Sequence, residues 1–255
     1  MRILIKLGGT LLDSPETRGR LASGIAEAAA NNQVVVVHGG GKQMTRYLSE
    51  RGVESRFISG FRVTTPEVID AVVKIFAGTV NAQLVSALRA AGARPVGLSG
   101  LAAGLVDAEI LDPELGLVGK PTRSDATLLE ALTGLHYVPV VACIAGDKNG
   151  SIYNVNADQM AVACACAFRA EKLLFLTDVE GVRDGGGAVR ETLTSAEARE
   201  LILGKAATGG MQAKLEAAME ALNNGLAEVR IAPGARPGVV GAAMNGSPEG
   251  TRLRP

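Results

Sequence analysis

The sequence predicts an α/β protein, a largely parallel sheet with helices on both faces. Three observations carry this. Short apolar runs alternate with amphipathic stretches along the whole chain, as repeated strand–helix units require. Most of those runs lack in/out alternation, the pattern of strands buried on both faces. Glycine clusters follow directly behind the first two runs, where sheets of this kind carry their functional loops.

The elements follow in order. Ile3–Leu7 (ILIKL) reads as the first strand and runs into KLGGT. Ser14–Ala30 has helical spacing, and Val34–Val37 is a β-branched run that favours a strand. HGGGK follows it. A long helix is expected over Pro66–Ala91, then strands at Ala93–Leu98, Tyr137–Ala142 and Leu173–Thr177. The glycine-rich Asp184–Val189 stretch reads as an exposed hairpin tip. Met211–Asn223 places Met211, Leu215, Ala218, Met219 and Leu222 on one helical face. Ala227–Ala232 reads as the last strand.

Bulk properties exclude several classes. The chain of 255 residues is long enough for a substantial core, in one large domain or two small ones. Its 26 basic and 26 acidic residues balance, which argues against a nucleic-acid binder. No uninterrupted apolar run approaches the roughly 20 residues that cross a bilayer. Met1 runs straight into RILIKL, so no cleavable leader is expected. The three cysteines, Cys143, Cys164 and Cys166, fit neither a disulfide framework nor a zinc set. They point to buried thiols in a reducing, cytoplasmic compartment.

The chemistry-bearing residues lie behind the strands. Lys6 stands near the end of the first, ahead of Gly8 and Gly9. Gly39, Gly40, Gly41 and Lys42 follow His38 at the end of the second. Bare amides on such loops cradle phosphate or carboxylate oxygens, and glycine lets the ligand approach. A tight strand–helix turn explains one such loop as well, but explains two together less well. The P-loop pattern fails, with Val36 at its first glycine position and Gln43 after Lys42. The dinucleotide fingerprint fails at Met44. Arg62, in GFRVTT, is the planar donor suited to a carboxylate. Asn154, Asn156 and Asp158 precede an apolar helix, where Asn156 suits the N-cap and Asp158 the first turn. Thr177 and Asp178 close another strand, and Lys214 lies one turn into the helix after TGGMQAK begins.

Taken together, KLGGT, VVVVHGGGK, GFRVTT, VGLSG, YNVNADQ, LTDVEGV and GGMQAK resemble the amino acid kinase family in order and spacing. Within it they are most similar to the branch that phosphorylates N-acetylglutamate. The resemblance spans nearly the whole chain. It implies an open, mainly parallel αβα sandwich of about eight strands. Residues 1–169 would form a lobe that binds the acyl amino acid and dimerises, and residues 170–255 a lobe that binds ATP. It implies that Lys6 and Lys214 contact the transferring phosphoryl group and that Asp158 holds both. Gly8 and Gly9 would bind ATP phosphate. Gly40, Gly41, Arg62 and Asn154 would bind N-acetylglutamate, with Arg62 on its α-carboxylate. Thr177, Asp178, Val179, Glu180, Gly181, Val182 and Arg183, with Ala206, Ala207 and Thr208, would line the nucleoside. Mg²⁺ is expected on the ATP phosphates, so no protein ligand to it is assigned. His38 is expected to be structural.

Two departures from the family pattern fall near parts expected to shape substrate choice. Leu101–Ala102–Ala103–Gly104 stands where Lys-Asp-Gly is common, and Phe61 where leucine is usual. A related acyl amino acid, or aminoadipate or glutamate on a carrier protein, is the alternative acceptor. A non-catalytic amino-acid sensor is the alternative from another class; it would be expected to lack Lys6, Asp158 or Lys214. Without the N-terminal helix that ties arginine-inhibited relatives into hexamers, a homodimer insensitive to arginine is expected.

Overall fold

The computed structural model describes every residue except Pro248. Eight strands form one sheet: β1 (Arg2–Leu7), β2 (Gln33–His38), β3 (Pro95–Ser99), β4 (Val138–Ala142), β5 (Lys172–Thr177), β6 (Thr192–Thr194), β7 (Glu228–Pro233) and β8 (Thr251–Arg254). Their spatial order is β6–β8–β7–β5–β1–β2–β4–β3. Every pairing is parallel except β7 with β8. The expected fold class is the one observed.

The six strands expected from their apolar runs all form, with ends shifted by one or two residues. In five of them the residues are buried on both faces, the edge strand β3 being only partly buried, so the sheet is the middle layer. β6 and β8 complete the eight and were not expected. β6 has three residues, and β8 alternates buried Thr251 and Leu253 with exposed Arg252 and Arg254. Edge strands this short or this polar give little periodic signal.

A second, smaller sheet was also unforeseen. Val106–Ile110, Val118–Ser124, Ile144–Gly146 and Ile152–Val155 close on themselves beside the main sheet. Phe57–Ile58 and Phe61–Arg62 form a separate hairpin. These two additions present Asn154 and Arg62, respectively. The expected hairpin at Asp184–Val189 is present, with the Asp184 amide donating to Ala188 O at 2.9 Å.

Pro66–Ala90 is a continuous helix of 25 residues whose length and apolar character would suit a membrane span. Its position explains that composition, since Val72, Leu84 and Leu88 are fully buried and the helix packs on the sheet. Its middle, Val73–Val80, runs as a π-helix, a rare form often found at functional sites. The 169/170 boundary expected from the resemblance falls between neighbouring parts of one continuous sheet, because β5 pairs directly with β1.

Burial pushes the Cys143 and Cys164 thiols up to about 12 and that of the half-buried Cys166 to about 11. In the folded protein Cys166 should therefore alkylate first. Cys143 and Cys164 should react only as fast as the chain unfolds, as peptide mapping after iodoacetamide pulses would show. Early labelling of Cys143 would contradict this packing.

Candidate active site

Because β7, β5, β1, β2, β4 and β3 all run in one direction, their carboxyl ends share one edge of the sheet. The chain leaves β1 for β2 on one side and later places β5 on the other, so the topological switch lies at β1. Lys6 sits there, in register with Phe175 on β5 and Val37 on β2.

The helix Ala157–Phe168 packs against β1 and begins with Asn156 as its cap, whose Oδ1 accepts from the Asp158 amide at 2.8 Å. This cap fixes Asp158 in the first turn. Lys6 Nζ then lies 2.6 Å from Asp158 Oδ1, and Lys214 Nζ lies 3.4 Å from Oδ2. Lys214 comes from the helix Gly209–Asn223, which packs along the first. Burial raises the Asp158 pKa, but Lys6 and Lys214 outweigh it and hold the carboxyl below its ordinary value. Oδ1 meets the Lys6 charge but accepts no well-aligned hydrogen bond. Lys214 Nζ donates to Asp158 Oδ2 and to Gly210 O at 3.3 Å, so directed bonds help to hold this lysine while charge holds Lys6. The trio expected from the resemblance is thus assembled.

The two glycine loops touch. A Cβ on Gly9 would lie 3.0 Å from Gly41 N, and one on Gly40 would lie 2.8 Å from the Phe76 ring. Side chains are therefore absent partly for packing, as the turn explanation holds. The Gly8 amide is already donated to Leu176 O at 2.9 Å, which corrects its expected use as a phosphate donor. Gly8 extends the sheet instead. Gly41 faces open space and begins the helix Gly41–Ser49, whose first amides have no partners within the helix.

Gly40 and Gly41 border a cavity of about 180 Å³, together with Arg62, Phe61 and Asn154. The Arg62 side chain is buried and donates to Thr45 Oγ1 at 2.7 Å, to Gly41 O at 3.3 Å, and to Ser55 Oγ. It lies 4.6 Å over the Phe57 ring. No carboxylate pairs with it among the described residues. Asn154 Nδ2 donates to Thr64 Oγ1 at 3.0 Å, and Thr64 Oγ1 donates to Arg62 O at 2.9 Å. Thr64 thus ties Asn154 to the arginine, a link that spacing alone did not reveal. Of the two departures from the family pattern, only Phe61 borders this cavity. Leu101 packs over Gly146 on the small sheet instead.

Thr177 ends β5 with its hydroxyl donating to Asp178 Oδ1 at 3.2 Å. Asp178, Val179, Glu180 and Arg183 are exposed beyond it, as are Ala206 and Thr208. Two of the expected nucleoside residues lie beneath this surface. Val182 is buried with its amide given to Thr251 Oγ1 at 2.8 Å, and Ala207 is buried with its amide given to Leu201 O at 3.0 Å. Both shape the surface from beneath. Gly181 is closed in by Thr251, Val189 and Gly250, so it too lends only its backbone.

A buried pair behind the second glycine loop was missed in part. His38 was read as structural, but its partner Asn81, deep in the long helix, carries no local signal. Asn81 Nδ2 lies 2.9 Å from His38 Nε2 and 2.9 Å from Val140 O. Burial depresses the His38 pKa to about 4.

That value sets a pH dependence of stability. Between pH 6.5 and about 4 the unfolded chain binds a proton that the folded chain refuses, so stability falls as pH falls through this window. The expected loss is about 3 kcal/mol, read from urea midpoints of wild type against His38→Asn. A flat wild-type profile there would contradict the burial. Asp158 acts lower, since its depressed pKa gives a contribution that is full above the ordinary carboxylate value and is lost as the pH falls from there through the depressed one. Asp158→Asn should leave the far-ultraviolet circular dichroism intact and reduce kcat on the order of 10²–10³-fold. Unchanged kcat would remove Asp158 from the chemistry.

Known proteins share this sequence pattern and fold. The sequence profile of the amino acid kinase family matches residues 1–233. The chain is 60% identical to the acetylglutamate kinase of Solibacter usitatus over 254 residues, 99% of each chain. It is 44% identical to that of Acidobacterium capsulatum over 237 residues, 91% of each. Its fold is similar to the crystal structure of smu.665 from Streptococcus mutans, with a TM-score of 0.84, 29% identity and coverage of 99% and 98% of the two chains. With its motifs, its sheet and its paired lysines in one frame, the chain belongs to the amino acid kinase family.

Proposed function

We propose that the protein transfers the γ-phosphoryl group of ATP to the γ-carboxylate of N-acetyl-L-glutamate, giving N-acetylglutamyl 5-phosphate for arginine biosynthesis. The observation that carries this is Arg62, a buried guanidinium without a carboxylate partner, on a cavity shared with bare glycine backbone. Such a group is costly to bury unless an anion completes it. The acceptor's α-carboxylate does so, and Asn154 and the Gly40–Gly41 backbone hold the rest of the molecule. Curated relatives named acetylglutamate kinase support the same acceptor.

A γ-carboxylate is ionised at neutral pH, so the chemistry needs no general base. Its oxygen attacks the γ-phosphorus, the bond from that phosphorus to the β–γ bridging oxygen breaks, and ADP leaves. The demand is to bring two anions together and neutralise charge in flight. Lys6 and Lys214 supply that charge, and Asp158 keeps the two ammonium groups close despite their repulsion. In this reading Gly9 approaches the ATP phosphates, and Thr177 to Arg183 with Ala206 to Thr208 form the nucleoside surface. Residues 1–169 then serve the acceptor and residues 170–255 the nucleotide. Mg²⁺ on the phosphates adds further neutralisation. No group of three or more His, Cys, Asp or Glu that could hold a metal occurs among the described residues. A homodimer is proposed as the working assembly.

The test is ATP-dependent acyl phosphate formation trapped with hydroxylamine. N-acetylglutamate should far exceed free glutamate, N-succinylglutamate and N-acetylaminoadipate. Preference for another acyl acid would keep the kinase and move acceptor choice to Phe61. Arg62→Ala should raise KM for N-acetylglutamate by at least about tenfold, the loss of a charged hydrogen-bonding partner, with KM for ATP little changed. Equal losses for both substrates would rule out a dedicated carboxylate clamp.

A further inference from the structure

His38 takes no part in the chemistry above, yet it is fully buried directly behind the glycine loop. Its two ring nitrogens have different neighbours. Nε2 faces Asn81 Nδ2 at 2.9 Å, and Nδ1 faces the carbonyl of Gly39 at 2.9 Å. Asn81 decides which nitrogen carries the proton. Its Nδ2 also faces Val140 O at 2.9 Å and Leu98 O at 3.4 Å, and carbonyls only accept. That end of the amide is therefore the NH₂ group, and it donates to Nε2. The ring proton must then sit on Nδ1, from which it donates to Gly39 O.

The consequence passes along the backbone. Gly39 and Gly40 are joined by a trans peptide, so the Gly40 N–H points opposite to the Gly39 C=O. Drawing the carbonyl inward to His38 turns the Gly40 N–H outward. Gly39, Gly40 and Gly41 all border the acceptor cavity, and the Gly40 amide has no protein partner among the described residues. The π-helical stretch Val73–Val80 completes the device. It sets Phe76 and Val80 against the bare face of Gly40 and delivers Asn81 to His38 in the next position.

We propose that the Asn81–His38 pair is a positioning relay that fixes the Gly39–Gly40 peptide so that the Gly40 amide is presented to the acceptor. This rests on the reading of the cavity as the N-acetylglutamate site. His38 and Asn81 touch no substrate and act only through the loop.

Two polar variants separate this role from simple core packing. In His38→Asn the shorter amide places an N–H where Nδ1 stood and keeps the bond to Gly39 O while losing Asn81. In His38→Gln the longer amide reaches the Nε2 position, keeps Asn81 and gives up Gly39 O. KM for N-acetylglutamate should stay within about threefold of wild type in His38→Asn and rise about tenfold or more in His38→Gln. KM for ATP should stay within about twofold in both. Independently, long-range ¹H–¹⁵N correlation should place the wild-type proton on Nδ1. The chain has 2 histidines, so the exposed His136 is identified by its loss in His136→Asn. A proton on Nε2 overturns the relay even if the Gln variant fails to fold, and so does an equal rise of the acceptor KM in folded His38→Asn and His38→Gln. An active wild type with unaltered acceptor KM in His38→Gln overturns it too and leaves the function standing. A wild type inactive on N-acetylglutamate overturns the functional reading and the relay with it.

Discussion

One buried carboxylate holds this site together. Asp158 lies between Lys6, from the first strand, and Lys214, from the last long helix. Neither lysine is favourable alone where it stands, since a desolvated ammonium group seeks a counter-charge. One negative charge against two positive ones leaves a net cation, and a transferring phosphoryl group is the ligand such a residue of charge selects. Breaking the centre of the trio would leave two like charges close together in a poorly solvated place, which is why the cap by Asn156 and the packing of two helices are spent on placing it.

Around this centre the labour divides by chemistry. In the proposed reaction moving charge is neutralised by lysines, which can follow a moving group. Fixed charge in that reading is met by Arg62, whose planar fork is locked by Thr45, Ser55 and the Gly41 carbonyl. Uncharged parts of the ligands meet backbone, and the backbone is made approachable by removing side chains. The two glycine loops also touch each other, and Gln43 Nε2 donates to Gly9 O at 3.2 Å, so the proposed acceptor and phosphate sides are in direct contact. That contact gives a mechanical reason for glycines that a purely ligand-centred account would leave out.

Much of this was legible in the chain. The five central strands show as apolar runs because both of their faces are buried, and the motif residues Lys6, Arg62, Asn154, Asp158 and Lys214 stand near strand or helix ends where their polarity is conspicuous. What escaped did so for identifiable reasons. The strands of the small sheet and the edge strands mix polar and apolar residues because one face meets water. Gly8 looked like a donor to a ligand, but its amide is used by Leu176, a partner distant in sequence. Asn81 is an ordinary helical residue until the fold brings His38, Leu98 and Val140 around it.

The π-helical stretch has a consequence for how this chain can vary. A π turn accommodates more residues than an α turn of the same rise, so Val73–Val80 amounts to a stored insertion. Deleting one residue there would relax the helix to ordinary geometry. The helix beyond it would keep roughly its present face, whereas a residue lost from the ordinary α-helical turns that follow would rotate everything after it by about 100°. Leu84 and Leu88 would stay in the core they now fill, and the change would fall on Phe76 and Val80 against Gly40. The segment is thus more permissive of a change in length than the turns that follow it. The cost of such a change is local, at the mouth of the cavity, and not in the interior of the helix layer.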